Sequence, residues 1–378
     1  MPDAPLARRH REAGARLVEF AGWRLPLQFS SIAEETRTTR RAAALFDISH
    51  MGVLRIFGAD AHRAARRLLT RDTLAIPLNC SRYALLCNDA GGILDDLFVM
   101  SESRDAVRLI VNAANHAKDV AWIRSHLDTS ARVAIDDALG RTFGLALQGP
   151  RSQQVLQASG FRGRLPTAFG AFFHGSIAGA DLLVSRTGYT GEDGFEIFGS
   201  AGDAVPVWDA LIQAGADYGM IPAGLAARDV LRQEMGYPLW GQDIDDHTTP
   251  LEAGLRWAVD WSGDFIGRAA LEHSQPGRRR VGLRVEDRGV ARPAAPILLS
   301  GRPIGAVTSG TYSHNLQAAV GQGYVEASVQ ARTGTEIEVE VRGRRLRARI
   351  AELPFLPART RLSWTRIQCT ERENENPR

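Results

Sequence analysis

At 378 residues the chain exceeds what one ordinary hydrophobic core can organise, so two or three domains are expected. Its composition, 44% hydrophobic and 24% charged, is that of a soluble globular protein, and no apolar run is long enough to cross a bilayer. A net charge of +3 is too small to point to nucleic acid.

The start, Met1-Pro2-Asp3-Ala4-Pro5 followed by Arg8, Arg9 and His10, has no apolar core and does not read as a secretory signal. A mitochondrial transit peptide would be richer in Ser and Arg and poorer in acids, so a bacterial-type cytoplasm is the expected location. From Leu17 to about His50 a turn-rich entry, Gly22-Trp23-Arg24-Leu25-Pro26, leads into a helix expected over Ser31–Ala44. Met51 to about Asp137 alternates strands and helices: strand Val53–Phe57, helix Ala59–Leu69, hairpin Tyr83–Asn88 with Leu94–Met100, strand Ala106–Val111, helix Ala113–Leu127. That order suggests a split β-α-β, ferredoxin-like layer rather than a parallel dinucleotide-binding sheet.

A second α/β zone runs from Thr142 to about Asp246. It contains strands over Phe143–Leu147, Leu182–Arg186 and Phe195–Phe198, a Gly149-Pro150 break into a helix, and a helix from Pro206 into Ala214. From about Arg278 to Phe355, short strands punctuated by Gly and Pro read as a small all-β sandwich or barrel. The polar tail Glu371–Arg378 is expected to be disordered.

Three segments carry side chains suited to chemistry. In Cys87-Asn88-Asp89-Ala90-Gly91-Gly92-Ile93-Leu94-Asp95-Asp96-Leu97 two adjacent carboxylates open an apolar strand, where a buried charge must find a partner or shift its pKa. Alternation along a strand sends Asp95 and Asp96 to opposite faces. It groups Asp96 with Leu94, Phe98 and Met100, and Asp95 with Ile93, Leu97 and Val99. Both faces are equally apolar, so the pattern does not choose between the acids, and both could simply pin the hairpin.

Thr187-Gly188-Tyr189-Thr190-Gly191-Glu192-Asp193-Gly194-Phe195-Glu196 has the glycine content of a loop that lines a ligand. Glu196 offers two coplanar acceptors, the complement of a guanidine-like pair of N–H donors such as one edge of a pterin ring; a solvent-facing Glu in a hairpin fits the spacing equally well. Pro222-Ala223-Gly224-Leu225-Ala226-Ala227-Arg228-Asp229-Val230-Leu231-Arg232-Gln233-Glu234 reads as a Pro-started helix. It puts Arg228 and Arg232 on one face, either as surface ion pairs with Asp229 or as a grip on an acidic ligand.

Other chemistries are not signalled. Leu239-Trp240-Gly241-Gln242-Asp243-Ile244-Asp245-Asp246-His247 lacks the spacing of a calcium loop, and His50, His174 and His247 are isolated, so no metal is expected. The cysteines, Cys80, Cys87 and Cys369, include no Cys-x-x-Cys pair. The only lysine is Lys118, so a long basic side chain on an anion is expected to be arginine. Gly-x-Ser-x-Gly, Gly-x-Gly-x-x-Gly and Walker A sequences are all missing.

Taken in order, these segments resemble the glycine cleavage T-protein family of aminomethyltransferases. The resemblance spans nearly the whole chain. It begins with Phe20-Ala21-Gly22-Trp23-Arg24-Leu25-Pro26-Leu27 and Leu45-Phe46-Asp47-Ile48-Ser49-His50-Met51-Gly52, followed by Tyr83 and the Gly91–Asp96 hairpin. It continues through Val111-Asn112-Ala113-Ala114-Asn115, Leu147-Gln148-Gly149-Pro150, the Gly188–Glu196 loop and the Gly224–Glu234 helix. Trp240-Gly241-Gln242-Asp243-Ile244-Asp245, Thr308-Ser309-Gly310 and Pro354-Phe355 complete it.

The family resemblance implies an α+β, three-domain cloverleaf: two interleaved α/β domains with ferredoxin-like, antiparallel sheets, plus a small C-terminal β-barrel or jelly roll, around a central folate channel. The expected division is 1–50 with 141–246 as a folate-binding domain and 51–140 with 247–277 as the domain carrying the acid hairpin. Residues 278–370 form the C-terminal β domain and 371–378 the tail. The resemblance makes Asp96 the catalytic carboxylate, Glu196 the pterin-edge acceptor and Arg228 a folate contact. Tyr83 and Tyr189 become pocket walls, and Asn112 joins them as a folate-binding residue.

Tetrahydrofolate is the implied co-substrate, with no metal. The implied partners are the lipoylated H protein, transiently, and the P and L proteins through shared function, with no nucleic acid or membrane. Departures from the family are Met100 where Tyr is frequent, Trp240 in place of Tyr, and Ser313-His314 where Ser-Pro is usual. Folate-dependent demethylases share the fold, and so does a folate-binding iron–sulfur assembly factor, whose Lys-Gly-Cys motif is missing at Pro238–Asp243.

Overall fold

The computed structural model describes residues 4–128 and 130–360; the tail expected to be disordered lies outside them. Two β-sheets, a closed barrel and a short N-terminal hairpin make up the β structure. That hairpin pairs Arg16–Phe20 with Trp23–Gln28, and its two turn residues, Ala21 and Gly22, both have positive φ (47° and 80°). Ser31 caps the following helix, Ile32–Arg41, by accepting from the Glu34 N–H at 3.2 Å, with Glu34 and Glu35 in its first turn. The helix stops short of the expected Ala44, which instead begins strand Ala44–Asp47.

The first sheet has five strands in the order Cys80–Cys87, Ile93–Ser103, Ala106–Val111, Gly52–Phe57, Ala134–Asp137. Every neighbouring pair is antiparallel, and Ala106–Val111 and Ala134–Asp137, joined through helix His116–His126, run parallel with Gly52–Phe57 between them, which is the split β-α-β unit expected. Leu54, Ile56, Leu86, Leu97, Val99, Val107 and Leu109 point to one face. They are covered there by helices Ala61–Leu68 and His116–His126 through Ala65, Leu68, Val120 and Ile123.

The second sheet has seven strands, ordered Arg162–Gly163, Phe172–Ile177, Ala180–Ser185, Gly194–Ser200, Thr142–Gln148, Ala44–Asp47, Ile221–Ala223. Its outer face packs Leu45, Leu145, Leu147, Val184, Phe195 and Ile197 against helices Ser152–Ala158 and Ala204–Gly215. The last strand corrects the expectation for Pro222: Ile221–Ala223 pairs in parallel with Ala44–Phe46, and the helix begins at Leu225 with Gly224 as its N-cap. A Cβ on Gly224 would sit 2.3 Å from the Leu27 backbone, so this cap position admits no larger residue.

The inner faces of the two sheets meet. Phe46, Ile48, Ala146, Phe172, Leu183 and Phe198 from the second form one buried cluster with Val53, Met100 and Ile110 from the first. Period-2 alternation thus makes both sheets apolar on two faces, and the stack reads helix, sheet, sheet, helix. The C-terminal barrel closes six antiparallel strands in the order Arg278–Val285, Ala318–Glu326, Arg302–Ser313, Pro296–Leu299, Glu336–Val341, Arg344–Ala351. Its interior is filled by Leu283, Ile297, Val325, Val339 and Ile350. Among the described residues no helix is long and apolar enough to cross a membrane.

Candidate active site

The acid hairpin turns at Gly91 (φ 82°), where Asn88 Oδ1 accepts from the N–H groups of Ala90 and Gly92 at 3.0 and 2.9 Å. A Cβ on Gly92 would meet the Asp246 carbonyl at 1.9 Å, so glycine is required by the close approach of that loop. The Leu86/Cys87 step carries a bulge: Leu86 pairs with Asp95 and Cys87 with Ile93, leaving Leu94 as the extra residue.

The bulge revises the grouping expected from strict alternation. Phe98 and Met100 do face the inter-sheet layer, but Leu94 joins Leu97 and Val99 in the outer cluster, while Ile93 packs with Leu85 and Cys87. Asp95 is fully buried beneath helix His116–His126, whereas Asp96 keeps partial access. The structure therefore separates two acids that their pattern did not.

Each is held by polar neighbours. Tyr83, on the adjacent strand, donates its hydroxyl to Asp96 Oδ2 at 2.9 Å. The Asn112 side-chain amide, at the end of strand Ala106–Val111, donates to Asp96 Oδ1 at 3.0 Å and to Asp95 Oδ1 at 2.9 Å. Its backbone N–H reaches Asp95 Oδ2 at 3.0 Å. Tyr83 stacks on Trp257 (5.3 Å, 25°) and meets Phe98 edge-on. Burial, and then the negative charge of Asp95, push the Asp96 carboxyl up to about 7, a value at which it can both hold and release a proton near neutrality.

Glu196 stands on the facing sheet, in strand Gly194–Ser200, and packs with Ser81, Phe98, Met100, Ile110, Ser185, Thr187 and Phe198 around a gap between the sheets too small for a water molecule. Thr187 donates to its Oε2 at 2.6 Å, and among the described residues no donor occupies the other oxygen. Burial raises the Glu196 pKa, and the field of Arg228 opposes that rise. The preceding loop is ordered by Gln148, which accepts from Thr190 at 2.8 Å and donates to the Thr187 carbonyl at 3.0 Å. A Cβ on Gly188 would lie 2.0 Å from that Gln148 oxygen.

Arg228 and Arg232 do not form the surface ion-pair ladder that was one reading of their spacing. Arg232 is 1% exposed and bridges Asp229, at 2.8 Å, to the buried Asp243. Asp243 also accepts from Ser309 in the barrel at 2.7 Å, so the Trp240–Asp245 segment ties helix Leu225–Glu234 to the barrel. Arg228 differs: its Nη1 is buried with no partner among the described residues, and its guanidinium lies 4.9 Å from the Tyr189 ring centroid. Burial lowers its pKa. Tyr189 stacks on Tyr237 at 5.8 Å and donates to the Pro238 carbonyl.

Two neighbours were not legible in the sequence. His50, expected to be isolated, is buried close enough to Arg228 to feel its charge; burial first and Arg228 second bring it down to about 4, so it is neutral near pH 7. Asp119, one helical turn past Asn115, is buried facing Asp95, with no N–H or hydroxyl donor on either of its oxygens among the described residues. A DD on a strand and an NxxxD on a helix gave no signal that they would meet. The Cys87 thiol is pushed up to about 12 by burial, which makes it unreactive. Among the described residues no group of three or more His, Cys, Asp or Glu side chains is arranged for a metal ion.

The arrangement combines a proton-holding carboxyl, a half-buried acceptor and a half-buried arginine with a buried unused donor, beside aromatic rings. A flat, polar-edged heterocycle with an acidic tail has the matching chemistry.

Comparison with known proteins bears on this directly. Residues 6–263 match the family model described as the GCVT N-terminal domain, and residues 278–356 match the glycine cleavage T-protein C-terminal barrel domain. An aminomethyltransferase of Halothermothrix orenii is 41% identical over 360 residues, covering 94% of this chain and 100% of its own. One from Moorella thermoacetica is 42% identical over 359 residues, covering 94% and 98%. The crystal structure of glycine cleavage system aminomethyltransferase T from Bartonella henselae superposes with a TM-score of 0.88 at 35% identity, covering 95% of this chain and 99% of that one.

Proposed function

The chain belongs to the glycine cleavage T-protein family and is an aminomethyltransferase, and we propose that it works on tetrahydrofolate held by Glu196 and Arg228, with Asp96 as the catalytic carboxylate. The observation that carries this reading is the setting of Asp96: a carboxyl held up to about 7 and near enough to Tyr189 to add to burial in raising its pKa, where Tyr189 lies under the Arg228 guanidinium and Arg228 is within the field of Glu196.

The residues fit the folate. Glu196 has one carboxylate oxygen without a donor, suited to a pterin N–H pair, and Arg228 has a buried N–H without an acceptor. Tyr83 and Tyr189 bring aromatic faces, and Asn112 holds Asp96 in place. In the proposed reaction the folate supplies N5 as nucleophile toward the methylene carbon carried on the lipoyl arm of H protein. N5 bonds to that carbon as ammonia leaves, N10 bonds to it as the carbon–sulfur bond breaks, and the N5 and N10 protons end on ammonia and the lipoyl thiol, giving 5,10-methylenetetrahydrofolate. Asp96 stabilises the cationic nitrogen that develops and accepts or orients its proton. Tyr83 and Asn112 fix both oxygens of Asp96 so that this charge needs no reorganisation.

The same reading places the chain in a bacterial-type cytoplasm, with H protein as its transient partner and the P and L proteins completing the pathway. It divides the chain into 1–50 with 141–246, 51–140 with 247–277, and 278–370; the two sheets and the barrel support that division within the described residues. The test is tetrahydrofolate-dependent ammonia release from aminomethyl-loaded H protein, run beside Asp96→Asn. Release by the wild type that the variant loses supports the reading. Folate binding without release would move it to a demethylase acting on another methyl donor.

A further inference from the structure

Behind Asp96, on the outer face of its strand, the fold buries two more carboxyls. Asp95 and Asp119 are each 0% exposed and face one another. Two carboxylates facing one another out of water do not both ionise near neutrality, so one of the pair is a carboxylic acid. Asp95 accepts from the Asn112 N–H at 3.0 Å, the Asn112 side-chain amide at 2.9 Å and the Asn115 side-chain amide at 2.5 Å. No N–H group or hydroxyl among the described residues donates to either oxygen of Asp119. Donors gathered on one oxygen pair and not on the other place the charge on Asp95 and the proton on Asp119.

The surroundings agree. Lys118, the cation next to the pair, has its Nζ 3.6 Å from the Trp240 ring centroid and no hydrogen-bond partner among the described residues, so it offsets the negative cluster without claiming either carboxylate. Burial first and Asp95 second hold the Asp119 carboxyl up at about 11. The other groups facing Asp96 are Tyr83 and Tyr189, both kept neutral by burial.

We propose that Asp119 is a positioning residue for Asp96: as a neutral acid it donates to Asp95, keeps that carboxylate charged and clamped on Asn112, and so sets how Asp96 is held and how readily it takes a proton. The linkage runs through Asn112, whose single amide nitrogen serves both Asp95 and Asp96, and through the field of Asp95. Without the Asp119 donor, Asp95 binds the proton itself and Asp96 loses its negative neighbour. Asp96 then becomes a stronger acid. The inference rests on the reading of Asp96 as the carboxylate that handles the reaction's proton, but its test does not require turnover.

Asp119→Asn keeps a neutral donor of the same shape; Asp119→Ala removes it. The Asp96 carboxyl is titrated by carbon-13 NMR in the free, full-length protein, its signal assigned by disappearance in Asp96→Asn. Asp119→Asn is expected to titrate close to wild type, and Asp119→Ala about one unit lower or more. An unmoved midpoint in Asp119→Ala, or an equal shift in both variants, overturns the proposal. Infrared spectra at about pH 9, above the range of Asp96 and below that of Asp119, give a second reading that needs only the isosteric variant. The protonated-carboxyl band is present in wild type and lost in Asp119→Asn; a band that survives the substitution refutes a proton on Asp119. Absence of wild-type turnover would instead count against the proposed reaction and leave these titrations standing.

Discussion

The Tyr83 hydroxyl donates a 2.9 Å hydrogen bond to Asp96 from the neighbouring antiparallel strand. This bond favours the ionised carboxylate, while burial and Asp95 favour the acid, and the balance lies at about 7. Turnover that needs ionised Asp96 therefore falls as pH drops through about 7, giving an acid limb in the pH–rate profile. Tyr83→Phe removes the opposing bond and should move that limb to higher pH. A limb that stays in place would remove Tyr83 from this role.

Asp96→Asn keeps the shape of the side chain but neither charge nor basicity. It is expected to hold tetrahydrofolate affinity within a few-fold and lose ~100-fold or more in turnover. Near-normal turnover in the ammonia-release assay would sink the assignment of Asp96.

The same carboxyl makes a statement about stability. Its folded pKa, about 7, lies above the ~3.9 of an unfolded Asp, so the folded protein binds the extra proton between those values. That contribution is complete below the unfolded value and is lost as pH rises through about 7. Asp96→Asn never ionises and escapes the loss, so its melting temperature relative to wild type should rise between pH 5 and pH 8. Parallel melting curves that keep a constant offset would contradict the raised pKa.

Glu196 is proposed to act in binding. Truncation to Ala should weaken tetrahydrofolate by ~2 kcal/mol or more, because an N–H pair would then be buried without an acceptor. Glu196→Gln, with one acceptor oxygen left, should fall between. Titration calorimetry with equal affinities for wild type and Glu196→Ala would count against the pterin-edge role.

Arg232 carries a structural load instead. Arg232→Met leaves Asp243, 1% exposed, without its charge partner and should cost ~3 kcal/mol in urea denaturation. Its folate affinity should stay near wild type, unlike that of Arg228→Met, whose lost donor is proposed to meet the ligand. Equal loss of binding in both variants would show that the two arginines act together.

Much of the architecture was legible because local patterning and tertiary demand agree. The strand Val53–Phe57, the acid hairpin and the helix at Pro206 lie within a few residues of where periodicity put them. Short strands were harder: Ile221–Ala223 took Pro222 because the strand lies at the edge of the second sheet, where a missing N–H is tolerated.

By itself, the sequence determined the chemistry available: two adjacent acids after a glycine turn, a glycine loop ending in Glu196, and a helix bearing Arg228. Its motif order also carried the family. Only the tertiary structure separated the two acids, burying Asp95 on the helix-covered face and leaving Asp96 partial access, since both faces of the strand are apolar and its pattern does not report what packs on each. It alone joined Asp119 to Asp95 and separated the buried tie of Arg232 from the open donor of Arg228. Those distinctions depend on burial and on neighbours far apart in the chain, and such forces exist only once the sheets have stacked.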